Sequence, residues 1–341
     1  MTDPADNNFS AARARATDIL HRVLVWDNHE CMPLRPGDPS FLPQLRRFRD
    51  VGTDVVSLNV GFGPQSLEDH VRMLASFRAW IRAHAEDYAL VGSLADIDRA
   101  RAEGRMAITF DVEGMVPLNH GDHGLVELLF DLGVRWMLIA YNRNNLAGGG
   151  CYENEDPGLS SHGRAIVREM KRVGMAVCCS HTGHRTVRDV VACADNPVLF
   201  THSNPSAVHP HKRNLPDEFI RACAETGGVV GINGIGVFLG DNDNRAETVV
   251  RHIDHVAQLV GPDHVGLSLD YCFDKDELQH FFATMRDTFP DPQSFNGEAK
   301  MVPPEVLPDI VAGLMLRGYG EADLEKILGG NWRRVAGAIW R

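Results

Sequence analysis

The 341-residue sequence predicts an α/β fold, one (β/α)8 barrel followed by C-terminal helices, and three observations carry that expectation. Eight short apolar segments alternate with stretches of helical periodicity; parallel strands need helical crossovers, and eight of them can close on themselves. The segments end in polar residues, several of them histidine or carboxylate, before Gly- or Pro-containing loops, where a barrel gathers its reactive groups. With 44% hydrophobic residues the chain can bury a large core, and no linker, low-complexity tract or internal repeat divides residues 1–341.

The first strand, Arg22 to Asp27, runs into Asn28-His29-Glu30-Cys31, with Met32-Pro33 and Pro36-Gly37 marking a loop. Strand alternation puts His29 and Cys31 on one face and Glu30 on the other. A second strand, Asp54 to Val60, stops at Gly61-Phe62-Gly63-Pro64. Leu67, Val71, Leu74, Phe77 and Trp80 give residues 66–87 a helical stripe, and residues 94–103 read as a short helix before Gly104. The third strand, Met106 to Phe110, leads into Asp111-Val112-Glu113-Gly114. The fourth, Gly133 to Ala140, precedes a polar loop from Tyr141 to Ser160 that is long enough for a lid. Ser161 caps a helix to Val173, Gly174 ends it, and the fifth strand, Met175 to Ser180, delivers His181. The sixth, Val198 to Thr201, delivers His202. Pro216 opens a helix that ends near Gly227-Gly228, and Val229 to Asn233 is the seventh strand. A helix striped by Val249, Val250, Ile253, Val256 and Leu259 stops at Gly261-Pro262 and feeds the eighth strand, Val265 to Asp270. Residues 275–341 read as helices covering the barrel.

A formal net charge of −12 and a pI near 5.7 exclude nucleic acid and anionic membrane as partners, since both need clustered Lys and Arg. The N-terminal stretch has no apolar core of signal-peptide type, and nowhere do about 18 apolar residues run uninterrupted. The seven cysteines lack CxxC spacing, and Cys178, Cys179, Cys193, Cys223 and Cys272 read as small core residues. An acidic cytoplasmic enzyme acting on a small molecule is the expectation.

Barrel geometry sends His29, Cys31, Glu113, His181, His202 and Asp270 to one face. Any one strand-end histidine is more often a loop or capping residue than a ligand; agreement of five strand ends turns the balance toward a metal site. Imidazole, carboxylate and thiolate are zinc ligands, and a shared carboxylate such as Glu113 can bridge two ions. His120, His123, His162, His184, His209 and His211 have no strand-end context and read as solvated or supporting residues.

Taken in order, His29, Val112-Glu113-Gly114, Ser180-His181, Thr201-His202-Ser203, Lys212-Arg213-Asn214-Leu215-Pro216-Asp217, Asp270 and Gly329-Gly330-Asn331-Trp332-Arg333-Arg334-Val335 resemble the membrane dipeptidase (renal dipeptidase, M19) family of the amidohydrolase superfamily. The resemblance spans residues 22 to 338 and implies a metal-dependent hydrolase of TIM-barrel type, a binuclear zinc enzyme that cleaves dipeptides, some with a D-residue second. It implies that Glu113 bridges, that His181 and His202 complete one ion's shell and that His29 binds the other. Asp270 would be ligand and proton shuttle, Arg213 would hold the substrate carboxylate, and the assembly would be a homodimer.

Two departures stand out. The family's His-x-Asp is His29-Glu30-Cys31 here, so Cys31 is either a soft thiolate ligand or a spectator, and the centre holds two Zn2+ or one accordingly. The family's substrate-binding histidine is replaced by Tyr141, which can donate a hydrogen bond to substrate. Cys178 stands where relatives carry Asp behind a metal histidine. The expected reaction is therefore hydrolysis of a short peptide with a free C-terminus. The alternatives are a non-peptide amide or lactone, or a catalytically impaired metal- or peptide-binding homologue.

Overall fold

A computed structural model describes residues 4–119, 121–291 and 298–341, so the reading of His120 lies outside the described residues. Its strands are β1 Trp26–Glu30, β2 Val55–Phe62, β3 Tyr88–Leu90, β4 Met106–Glu113, β5 Val134–Leu138, β6 Ala176–Cys178, β7 Val198–Leu199, β8 Val230–Ile232 and β9 Val265–Leu267. All pairings are parallel, in the order β7-β6-β5-β4-β2-β1-β9-β8, and a Phe200–Val230 bridge joins the two ends. Eight strands thus close a (β/α)8 TIM barrel. The short β3 lies off this path, paired only with the first half of β4.

Both faces of these strands are covered, which is why β2 and β4 are buried at every position. The helices expected from the sequence form near their signals, while Pro4–Leu20, Gly124–Asp131 and His184–Cys193 form where none was expected. Ser66 and Ser93 form capping boxes at Leu67–Ala83 and Leu94–Ala102. Ser160, one residue before the expected cap, accepts from Gly163 N at the start of Ser161–Val173. Gly174 ends that helix at φ 91°, a left-handed position that favours glycine.

Two differences from the sequence expectation matter. The first strand is shifted, so that His29 lies inside β1 rather than after it. The segment 141–160 is not a free lid: Cys151 N–H donates to His181 O at 2.8 Å, and Asp156 receives the Thr186 N–H and hydroxyl at 2.8 and 2.6 Å. Gly150 packs so tightly there that a Cβ would sit 2.2 Å from the Asn142 carbonyl carbon. At the opposite end of the barrel, Trp332 donates to Leu267 O at 3.0 Å and Asn331 to Val265 O at 2.8 Å, so the last helix, Asn331–Ile339, seals the bottom. Among the described residues no helix is long and apolar enough to cross a membrane.

Candidate active site

Three imidazoles converge on one carboxylate oxygen. The Nε2 atoms of His29, His181 and His202 lie 3.7, 3.5 and 3.1 Å from Glu113 Oε1. Each ring is aimed by a contact at its other nitrogen. His29 Nδ1 meets Asp111 Oδ1 at 3.2 Å, and Asp111 in turn accepts from Ser57 Oγ at 2.6 Å and Asn59 Nδ2 at 3.1 Å. His181 Nδ1 meets Asn142 Oδ1 at 2.7 Å, and His202 Nδ1 meets Thr201 Oγ1 at 3.0 Å. Cys178 Sγ stands behind Thr201 at 3.1 Å, so it supports His202 through one intermediary. Fixing Nδ1 in this way leaves Nε2 as the outward lone pair that a metal takes.

Asp270 enters from the rim of β9. Its N–H donates to His29 O at 3.1 Å and its Oδ2 accepts from Asn233 at 2.7 Å, while the flanking amides of Leu269 and Tyr271 bond the buried carboxyls of Asp27 and Glu30, both at 3.0 Å. Glu30 therefore holds backbone while His29 and Cys31 face the site together. His181, Asp270 and Asn142 carry positive φ angles of 60°, 56° and 59°, backbone strain of the kind that gathers at functional sites.

The donor set fits a divalent cation. Zinc bonds of about 2.0 to 2.3 Å at tetrahedral angles place neighbouring donors about 3.3 to 3.8 Å apart. On the β1 side the separations are 3.6 Å between Cys31 Sγ and His29 Nε2, and 3.3 Å from Asp270 Oδ1 to each of them. Glu113 Oε1 and His202 Nε2 are buried without a hydrogen-bond partner among the described residues, although they face each other. Such orphaned polar atoms call for a ligand.

Electrostatics agree. Burial, reinforced by the charges of Asp270 and Asp111 against the pull of His29, pushes the Glu113 carboxyl up to about 8. Burial and the nearby His29 and Arg213 charges hold His181 and His202 well below the usual imidazole value, hence neutral. At His29 burial also opposes charge, but Asp111 and Glu113 override it and hold the ring well above that value. Proton uptake at one imidazole and one carboxyl is how an anionic cluster balances itself where a cation belongs.

Above the cluster opens a cleft lined by Cys31, Asp270, Arg213, Tyr141 and a row of apolar side chains. Arg213 is 3% exposed, donates through Nη2 to His202 O at 3.0 Å, and keeps Nε without a partner among the described residues. Tyr141 stacks on His181 with centroids 4.0 Å apart, and burial, then Glu113 and Asp270, raise its phenol well above the usual value. It stays a hydrogen-bond donor. Six of the eight residues singled out from the sequence, Cys31, Glu113, Tyr141, His181, Arg213 and Asp270, line this cleft, and His29 and His202 lie buried beneath it against Glu113. The sequence did not single out Asp111, Asn142 or Asn233, whose contacts to His29, His181 and Asp270 depend on pairing across the barrel.

A model of the membrane dipeptidase family (peptidase family M19) matches residues 14–284. An uncharacterized protein in the pqqA 5' region of Klebsiella pneumoniae is 30% identical over 281 residues, covering 79% of this chain and 96% of its own length. Dipeptidase tcpJ of Claviceps purpurea is 28% identical over 275 residues, 79% of this chain and 60% of its own. Among solved structures, an amidohydrolase from Pseudomonas aeruginosa matches 95% of this chain and 99% of that one, with a TM-score of 0.86 at 27% identity. The family match over most of the chain shows that it belongs to the membrane dipeptidase family, the metallopeptidases of family M19.

Proposed function

We propose that the chain is a zinc-dependent dipeptidase that hydrolyses the amide bond of short peptides bearing a free C-terminal carboxylate. The observation that carries this reading is the convergence of three imidazole Nε2 atoms on Glu113 Oε1, with the buried Arg213 facing the same cleft. His181, His202 and Glu113 would hold one ion; His29, Cys31, Asp270 and the shared Glu113 would hold the second. When bound, the metal supplies Lewis acidity toward the scissile carbonyl and a water acidic enough to attack at neutral pH.

The protein's own groups do the rest. Arg213 pairs with the substrate carboxylate by charge-assisted hydrogen bonds, so the peptide ends near this guanidinium and only a short one fits. Asp270, positioned by Asn233 and by the His29 carbonyl, accepts the water proton and returns it to the leaving amine. The Tyr141 phenol donates to substrate oxygen, and the apolar walls exclude water, which strengthens each of these contacts.

The test pairs metal analysis with turnover. Purified protein should contain zinc, and Asp270→Asn should retain metal while losing about 100-fold or more in kcat, as expected when a general acid/base is removed. Metal-loaded protein that cleaves no member of a broad panel of L,L and L,D dipeptides would sink the peptidase reading.

A further inference from the structure

We propose that the ion on the β1 side is held by a pair of thiolates, Cys272 acting as a ligand beside Cys31. The inference deepens the metal-dependent reading above and rests on it. Cys31 and Cys272 are register partners in a parallel bridge at the barrel rim, fixed by Cys31 N–H to Tyr271 O and Phe273 N–H to Cys31 O, each at 3.1 Å. Register partners in parallel strands project to the same side. Their Sγ atoms and a carboxylate oxygen of Asp270 accordingly lie within 4.8 Å of one another, and all three residues line the cleft. Both cysteines are free. Cys178, Cys179 and Cys223 are also free but buried away from the cleft, so this pair is set apart by position and not by residue type.

The chemistry follows from softness. Two thiolates favour zinc or cadmium over magnesium or manganese and donate more charge than the carboxylate that Cys31 replaces. They also satisfy the ion without requiring both oxygens of Asp270, which leaves that carboxylate available for the proton. A thiolate-rich site on one side and a His-Glu site on the other make the centre chemically asymmetric.

The experiment uses the full-length protein, stripped of metal and reloaded with Co(II) under reducing conditions. Sulfur-to-cobalt charge-transfer absorption counts thiolate ligands, while elemental analysis counts ions. The wild type should show a band that falls to about half in Cys272→Ser and in Cys31→Ser and vanishes in the double variant, because each thiolate bound to cobalt contributes separately. A band unchanged in Cys272→Ser overturns the proposal. Bound cobalt with no such band overturns it too, yet leaves the dipeptidase reading standing; failure to bind any metal defeats both. Should Cys272→Ser misfold by circular dichroism, alkylation of wild type by iodoacetamide decides. Cobalt should protect Cys31 and Cys272 alike, as read by peptide mass mapping, and Cys272 labelled equally with and without cobalt refutes its role.

Discussion

Asn142 shows how a single residue serves the site by aiming another side chain. Its backbone sits at φ 59°, which costs a non-glycine residue of order 1 kcal/mol, and that conformation lets one amide reach two ways. Its Oδ1 meets His181 Nδ1 at 2.7 Å, while its Nδ2 donates to Thr288 O at 3.0 Å. Asn142→Gly keeps the left-handed turn and removes both contacts. The expected result is metal affinity weaker by about 10- to 100-fold with an unchanged fold, measured by competition with a calibrated chelator. Unaltered affinity would show that His181 needs no such partner. The residues legible in the sequence were those whose type announces chemistry: His29, His181 and His202 at strand ends, Glu113 before Gly114, and Asp270. Asp111, Asn142 and Asn233 were not legible because they act on other side chains across the barrel, at distances along the chain that periodicity does not encode.

Among the elements, the helix Lys275–Thr284 bears most directly on specificity. Asp274 caps it, accepting from the amides of Asp276 and Glu277 at 3.0 and 3.1 Å, and Arg35 clasps Asp274 and Glu277 at 2.8 and 3.1 Å. So anchored, it lays Leu278, Phe281 and Phe282 along the cleft, where Phe281 meets Phe62 at 5.3 Å. Phe281→Ala should raise KM for dipeptides with aromatic side chains by about tenfold, the worth of one lost apolar contact, while alanyl dipeptides change little. Equal losses on both would deny the helix a part in selection. The sequence had pointed instead to 141–160 as the lid, since loop length is visible and Asp156 bonding to Thr186 is not. β3 escaped notice for the same kind of reason: three residues, Tyr88–Leu90, carry no period and are defined only by pairing with β4. A different element sets acid stability. His252, in the helix Ala246–Val260, is fully buried, with Nε2 2.8 Å from Leu239 O, and burial holds it down to about 4. The unfolded chain binds that proton first, so the stability His252 contributes is complete above about pH 6.5 and lost as pH falls toward 4, at up to about 1.4 kcal/mol per pH unit. Denaturant titrations should give His252→Leu a shallower decline across that window; parallel curves would contradict it.

At the scale of the whole molecule, the barrel brings together residues from both ends of the chain, His29 and Cys31 from the first strand with Asp270 from the last. β1 and β9 meet through a single register pair, Asp27 with Leu267, and the Cys31–Cys272 bridge lies beyond it at the rim. The bottom of that seam is closed by Trp332, for which Gly266 leaves room: a Cβ there would sit 2.7 Å from the indole nitrogen. The top opens instead into the cleft above Glu113 and Asp270. Asp111 and Glu113 are buried on β4, and Asp270 faces them across the same small volume, so without a cation their mutual repulsion has to be offset by protons on Glu113 and His29. A bound cation would relieve that repulsion and, held by the proposed ligands, would tie β1, β4, β9 and the loops after β6 and β7 to a common centre. Metal should therefore stabilise the fold as well as the reaction. At free metal about 1,000-fold above its Kd the gain is about 4 kcal/mol, which for a chain of this size corresponds to roughly 5 °C in Tm. Chelation of protein shown to contain metal should lower Tm by that order, and zinc should restore it. If Tm were the same with and without metal, the carboxylates would have to be balanced by protons alone, and the centre would be a catalytic device laid on a barrel already complete without it.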